Sequence, residues 1–431
     1  MRVMESTTGA SEGVPVSCDP RIRERRRSYG IGLVAVSMLL VLIPAVPGPA
    51  AHAAPEVRSE KPGAREGAAA RVLAEIENDG DYPVTEEAVE LVLLRFAQTG
   101  DDGFLDLAET MVRSRPAGDD LTEEPAGPYL IVAHAGGGTF GRGEERLLRA
   151  RELMAMSPDR ATTDSYARLV QDFFERAAVW GTSEAFLEAA TGAGALFSSR
   201  VVTTGTRVQV MPGGGEAAAA SLSDHIEVLE AARLSYELSG TDVSRSFVVR
   251  LVHETLRRFW DDDTGRLAMT DVDVVGFPAA VEPLLNARAA IVLWRCGAAT
   301  GDALFTGRAR RILDRVFDDA LRYPESAPAA ALAAELLDGT ALEMILVGEA
   351  GDATLTALRR AAFRVPDPRR ILVHANPVSN PTALAALGIP GEAAPALFLR
   401  AGSVGAPPVR DPADIPARIA EVWRAVGSVP R

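Results

Sequence analysis

Three stretches of the chain place apolar residues three and four apart, the spacing that gathers side chains on one side of a helix. Ile226, Leu229, Ala232 and Tyr236 form one stripe. Phe247, Leu251, Thr255 and Phe259 form a second, and Phe305, Ala309, Ile312, Val316 and Ala320 a third. Between such segments one turn recurs: Thr99-Gly100-Asp101, Ser239-Gly240-Thr241-Asp242 and Thr300-Gly301-Asp302. A Gly after the last apolar turn suits the left-handed residue that closes a helix, and an Asp just beyond it suits the cap that opens the next. The last two turns lie 61 residues apart, Gly240 to Gly301, which is room for two long helices and a long loop. The pattern predicts antiparallel helical hairpins arranged as an α/α toroid or superhelix, so the fold class is mainly α.

The helical pattern starts near Arg71 and runs in pieces to about Asp338, with long loops expected at Gly192–Glu216 and Trp260–Pro278. Mixed alternation from Val201 to Met211 leaves room for a short hairpin. After Gly339 the pattern changes. Leu342–Val347, Ile371–Val373 and Pro395–Leu399 read as strands, and Asp352–Phe363 and Asp411–Val426 as helices. Strands alternating with helices predict a small α/β unit with some parallel pairing. The expected organisation is a signal over residues 1–53, a flexible leader over 54–80, the toroid over 81–340 and the α/β unit over 341–431.

The start of the chain reads as an export signal. Arg21, Arg23, Arg25, Arg26 and Arg27 precede an apolar run from Ile31 to Ile43. Pro44, Pro47 and Pro49 follow, and Ala51-His52-Ala53 offers a small-x-small cleavage site. The expected location is extracytoplasmic; the alternative is an uncleaved anchor over residues 31–46, although a span needs roughly 20 apolar residues. Net charge is −14, and loss of residues 1–53 would leave −16, a balance that disfavours nucleic acid and anionic membrane as partners. Cys18 would leave with the signal. Cys296 then stands alone, on an apolar stripe with Leu285, Ala289, Val292 and Ala299, where a buried inert thiol is expected. Lys61 is the single lysine, so a P-loop is excluded.

Three local matches, in order, resemble one family. Phe259-Trp260-Asp261-Asp262-Asp263-Thr264-Gly265 looks like its Phe-Trp-Asp loop, and His134-Ala135-Gly136-Gly137-Gly138-Thr139-Phe140 looks like its His-x-Gly-Gly-Gly-Phe stretch. The tail follows from Ile345-Leu346-Val347-Gly348 through Ile371-Leu372-Val373 to Pro407-Pro408-Val409-Arg410-Asp411-Pro412. These residues resemble the spermatogenesis-associated thioredoxin-like group, in which a thioredoxin-like domain precedes a six-hairpin, glycosidase-like toroid. The resemblance spans roughly residues 85–426 and implies that toroid, here shortened and without the thioredoxin domain. It implies no assigned reaction, though such toroids are similar to those of glycosidases and sugar epimerases. The chain departs from the group at several places. It has no Cys-x-x-Cys, so thiol redox chemistry is excluded. Gly143-Glu144-Glu145-Arg146 replaces the family's His-Phe-Glu-Lys, Arg200-Val201-Val202 follows where an acidic loop is expected, and Leu399 and the region of Val404 stand where two cysteines are usual.

A toroid enzyme would set a general acid and a base or nucleophile in its funnel, with an aromatic ring to stack a sugar. Candidates are Asp261, Asp263, Asp271, Asp273 and Glu282, with Trp260 as the platform. His134 stands beside Gly136, Gly137, Gly138 and Phe140, which would bring backbone close to a ligand. Each also has a plain structural use: an Asp run after a helix serves turns, Glu282 suits a helix start, and a Gly run serves a tight connection. His253-Glu254 lacks the second His of a zinc-protease motif, since Arg257 occupies that place. His225 is expected to be exposed at a helix start, and His374 to end a core strand. No metal or other cofactor is expected. Two functions remain open: carbohydrate binding or processing, and a catalytically degenerate scaffold that binds a protein partner. Paired carboxylates converging in the funnel within about 5–10 Å would favour the first. A funnel lined by Arg and Ala, or plugged, would favour the second.

Overall fold

A computed structural model describes residues 65, 67–79, 82–114, 162–180, 183–213, 220–268, 283–349, 352–377, 384, 389 and 395–428. The first helices are α1 (Ala68–Asn78), α2 (Glu86–Thr99), α3 (Asp102–Ser114), α4 (Thr163–Trp180) and α5 (Ser183–Arg200). A hairpin of β1 (Val201–Thr204) and β2 (Arg207–Val210) follows, then α6 (Leu222–Ser239) and α7 (Asp242–Phe259). A second small hairpin, β3 (Trp260–Asp261) and β4 (Arg266–Leu267), leads to α8 (Pro283–Thr300), α9 (Ala303–Ala320) and α10 (Ala327–Asp338).

The recurring glycines end helices as the sequence predicts. Gly100, Gly240 and Gly301 have φ of 70°, 63° and 74°, and the amides of Gly100 and Gly240 close the last turn on Phe96 and Tyr236. The opening caps are more varied. Asp302 accepts from the Leu304 amide, but after Gly240 the cap is Thr241, not Asp242. Each pair α2/α3, α4/α5, α6/α7 and α8/α9 packs as a hairpin, and α4, α6, α8, α10 and α2 touch one another in that order. The last helix of the series therefore meets the first long one, and the chain forms an α/α toroid with α2, α4, α6, α8 and α10 inside.

Burial separates the two layers. Outer α9 buries one stripe, Phe305, Ala309, Ile312, Leu313, Val316, Phe317 and Ala320. Inner α10 buries nearly every residue; its alanines let neighbours approach on all sides. Two loop expectations change. α5 continues to Arg200 and the β1–β2 hairpin follows, where a long loop over 192–216 is expected. The leader expected over 54–80 contains α1, whose Val72, Leu73 and Ile76 are buried against the ring.

The C-terminal unit has β5 (Leu342–Val347), α11 (Ala353–Phe363), β6 (Arg370–Ala375), β7 (Ala396–Ala401), β8 (Val404–Gly405), a 3-10 turn (Pro412–Asp414) and α12 (Ile415–Ser428). Sheet order is β6-β5-β7-β8, with β5 and β6 parallel and the remaining pairs antiparallel. The parallel pair needs a crossover, which α11 supplies, opened by the Asp352 carboxylate on the Leu355 amide. The unit sits on the ring: β6 packs on α6 and α8, and α11 packs on α4. No helix among the described residues is long and apolar enough to cross a membrane. The proposed signal over residues 1–53 lies outside the described residues.

Candidate functional site

The Trp260–Asp263 candidates lie on the outer layer, where β4 packs on α9. The buried Asn286 amide brackets Leu267, accepting from its N–H at 2.8 Å and donating to its carbonyl at 2.9 Å, and so fixes the hairpin. The Asp261 carboxylate builds the turn. One oxygen accepts from the Asp263 amide at 2.9 Å and the other from the Thr264 hydroxyl at 2.8 Å. The Thr264 hydrogen bonds hold its carboxyl below the ordinary Asp value. Trp260 donates its indole N–H to Asp262 at 2.7 Å, and its ring carries Arg308 at 4.2 Å and Arg311 at 5.3 Å. A guanidinium thus occupies the stacking position a sugar would need. Asp263 is exposed. His134, Gly136, Gly137, Gly138, Phe140, Asp271, Asp273 and Glu282 lie outside the described residues.

The remaining histidines have structural partners. His225 is fully buried, not exposed; its Nδ1 meets the Thr255 hydroxyl at 3.1 Å and its ring stands edge-on to Phe259. His253 is exposed. His374 lies in β6, where Nε2 donates to the Gly348 carbonyl at 3.0 Å; burial holds its pKa below the ordinary value. Cys296 is buried, and burial together with the charge of Glu230 pushes its thiol up, as an inert thiol requires.

The charged centre of the molecule lies on the ring axis, at positions the sequence analysis did not single out. Inner helices α2, α4, α6 and α8 send Glu90, Glu175, Glu230, Arg233, Glu237 and Arg295 into one cavity. Arg295 bridges Glu90 at 2.6 Å and Glu230 at 3.2 Å. Arg233 holds both Glu230 oxygens, at 2.6 and 2.8 Å, and also pairs with Glu237. Just beyond, Arg288 pairs with Glu87 at 2.6 Å and Arg168 with Glu227 at 2.9 Å.

Two carboxyls in this cavity titrate in opposite directions. Burial pushes Glu175 up to about 8, and Asp172, Glu230 and Glu90 add repulsion that Arg233 only partly offsets. Burial also acts on Glu230, but Arg233 and Arg295 outweigh it and hold that carboxyl at about 2. At neutral pH Glu175 carries a proton and Glu230 does not, the division of labour an acid and a base require.

The cavity is nevertheless narrow. Phe363, Val365, Pro366 and Arg370 of the C-terminal unit line one side of it, and its volume is about 50 Å³. Ligand pockets run to roughly 300 Å³ or more, and a water takes about 30 Å³. Carboxylates from different hairpins thus converge here, and arginines hold them. Among the described residues no cluster of three or more His, Cys, Asp or Glu could hold a metal ion.

No family model and no curated protein sequence matches the chain. Among solved structures, the GH76A α-1,6-mannanase of Salegentibacter sp. HEL1_6 is similar at a TM-score of 0.35 and 9% identity, over 59% of this chain and 70% of that one. An inactive variant of it with α-1,6-mannotriose matches at 0.34 and 9%, over the same shares. Another inactive variant, with α-1,6-mannotetrose, matches at 0.35 and 9%, over 69% of this chain and 78% of that one. The toroid described above rests on this chain's own helix contacts, and none of these comparisons touches the thioredoxin-containing group.

Proposed function

We propose that this chain is an exported, six-hairpin-type scaffold that binds a partner and has lost hydrolytic activity. One observation carries the reading: the axial cavity holds about 50 Å³, and both oxygens of its ionised carboxylate are taken by Arg233 and Arg295. A base bound by three guanidinium hydrogen bonds is a poor nucleophile, and the space beside it is small for a sugar ring. The basic stretch and apolar run before Ala54 support export.

A second reading, carbohydrate binding or processing, is favoured by Glu175 and Glu230, whose pKa values are pushed apart in one cavity. It assigns Glu175 as the acid and Glu230 as the base. His134 and Glu282 remain its further candidates, while Asp261 and Trp260 have local structural uses.

Thermal unfolding of the purified chain against a panel of oligosaccharides and sugar phosphates separates the two. The scaffold reading expects no shift across the panel and no release of reducing sugar. A ligand at 100 times its dissociation constant would add about 2.7 kcal/mol. Such a gain, lost in Glu175→Gln and Glu230→Gln, would establish the carbohydrate reading instead.

A further inference from the structure

The axial cavity is one positive charge short. Of the five carboxylates that line it, four are held by arginine. Arg295 takes Glu90 and Glu230, Arg233 takes Glu230 and Glu237, and Arg369 takes both oxygens of Asp367, at 2.9 and 2.8 Å. Glu175, the fifth, has no hydrogen-bond or ion-pair partner among the described residues. The remaining guanidinium at the cavity, Arg370, donates to the backbone carbonyls of Phe363 and Val365, the latter at 3.0 Å. Five carboxylates thus meet four guanidiniums, and the unmatched acid is the one that no neighbour bonds.

The space suits a small cation on an apolar stem. Leu93, Leu234, Val365 and Pro366 share the lining with the charged groups, and the volume is about 50 Å³. A water takes about 30 Å³, and an ammonium is close to it in size, so an ammonium enters with the methylene next to it. The cavity is partly open, which lets the rest of a stem run out to solvent. A quaternary ammonium, with four carbons around its nitrogen, is too wide. An ammonium is also a compact charge with three donors, and it meets a single carboxylate without the planar fork a guanidinium needs.

We propose that the axial cavity receives one lysine side chain of the bound partner, its ammonium set against the Glu175 carboxylate and its methylenes against the apolar walls. The inference rests on the partner-binding reading above and names the group that partner contributes. In the empty cavity burial pushes Glu175 up to about 8, so at pH 7 a proton supplies the missing charge. The ammonium replaces that proton. The carboxyl O–H bond breaks, the proton leaves to solvent, and the carboxylate accepts from the ammonium N–H groups. The charged groups facing Glu175 are those already named on α6, α8 and the 363–370 segment, together with Asp172 on its own helix and Glu86 and Glu90 on α2. Helices α5 and α11 also pack on α4 and place no described charged side chain at the cavity. Binding therefore tightens as pH rises to about 8 and levels off above it.

Calorimetric titration of the full chain with Nα-acetyl-lysine amide tests it, run in two buffers of different ionisation enthalpy so that released protons are counted. n-Butylammonium and tetramethylammonium are titrated beside it. The expected result is saturable binding of the first two and none of the third, with nearly one proton released per ligand at pH 7. Binding at pH 8 should be about fifty-fold tighter than at pH 6. Glu175→Gln should weaken it at least about tenfold and abolish the proton release. Absence of saturable binding, binding without proton release, or equal affinity in Glu175→Gln would each overturn the proposal. Binding of n-butylammonium without the lysine amide would overturn the lysine assignment, since the cavity would then take a free amine. Should Glu175→Gln fail to fold, the pH series and the proton count on the unaltered chain decide. The sugar panel is read separately: a stabilising oligosaccharide removes the scaffold reading, whereas a silent panel with a failed ammonium titration removes this inference alone.

Discussion

Two acidic regions of this molecule use the same side chains for opposite ends. At the β3–β4 hairpin, Asp261 bonds residues two and three positions away and is only half-buried. On the ring axis, Glu90, Glu230 and Arg295 reach one another from three helices, with partners as far as 205 residues apart. The Asp261 carboxylate is satisfied by its own loop. The second region has charge that only the assembled ring can satisfy, so folding and electrostatics are coupled there. Acidic residues beside an aromatic look like a site in sequence, yet it is the buried, cross-helix set that carries shifted pKa values in opposite directions.

The comparison is broken most directly at Glu230. Glu230→Ala leaves Arg233 and Arg295 facing a lost partner, and breaking a buried pair on one side costs about 3–5 kcal/mol. Urea denaturation at pH 7 should show a loss of that size; a loss under about 1 kcal/mol would mean the axis is as well hydrated as the surface.

Glu175→Gln should act in the other direction. Its folded pKa lies near 8, above the unfolded carboxyl value, so the folded state binds the extra proton. Stability contributed by this group is full at low pH and is lost as pH rises towards 8. Replacing it by Gln should change little at pH 5 and add on the order of 4–5 kcal/mol at pH 8.5, each pKa unit being worth about 1.4 kcal/mol. Denaturant midpoints at the two pH values check this; a gain of equal size at both would place the effect in packing.

The smallest effect belongs to the hairpin. Asp261→Ala removes hydrogen bonds within one exposed turn and should cost at most about 1 kcal/mol, with the axial titration unmoved. A larger loss, or a change in the pH dependence of Glu175, would join two regions that the structure keeps apart.

Much of the fold was legible because it follows local rules. The glycine turns announce helix ends, since few other residues take a positive φ cheaply. The stripes ending at Tyr236, Phe259 and Ala320 are buried as their spacing requires, and the alternation after Gly339 gives the parallel pair. The axial site was not legible by the same rules. Glu230, Arg233 and Glu237 sit three and four apart, like any solvated face. One signal was present: apolar residues flank that stripe on both sides, at Val228, Leu229, Ala231, Ala232 and Leu234, all buried. A helix apolar on its other faces has no solvent side on which to put its charges. His225 was misplaced for a related reason: its Thr255 and Phe259 partners come from the next helix, which the local pattern at a helix start does not reveal.

The seam between α2 and α10 has a consequence for how the molecule comes into being. Gln98 donates to Glu335 at 3.0 Å across 237 residues, and Val89 and Leu91 to Leu94 on α2 are buried within the same core as α10. On a ribosome, a chain that has reached only the end of α9 still shows that apolar face to solvent. Closure waits for the last inner helix, and with it the most distant loop the ring has to close. A nascent chain halted before Ala327 should therefore be a chaperone client, while one released after Asp338 should no longer need shelter for that face.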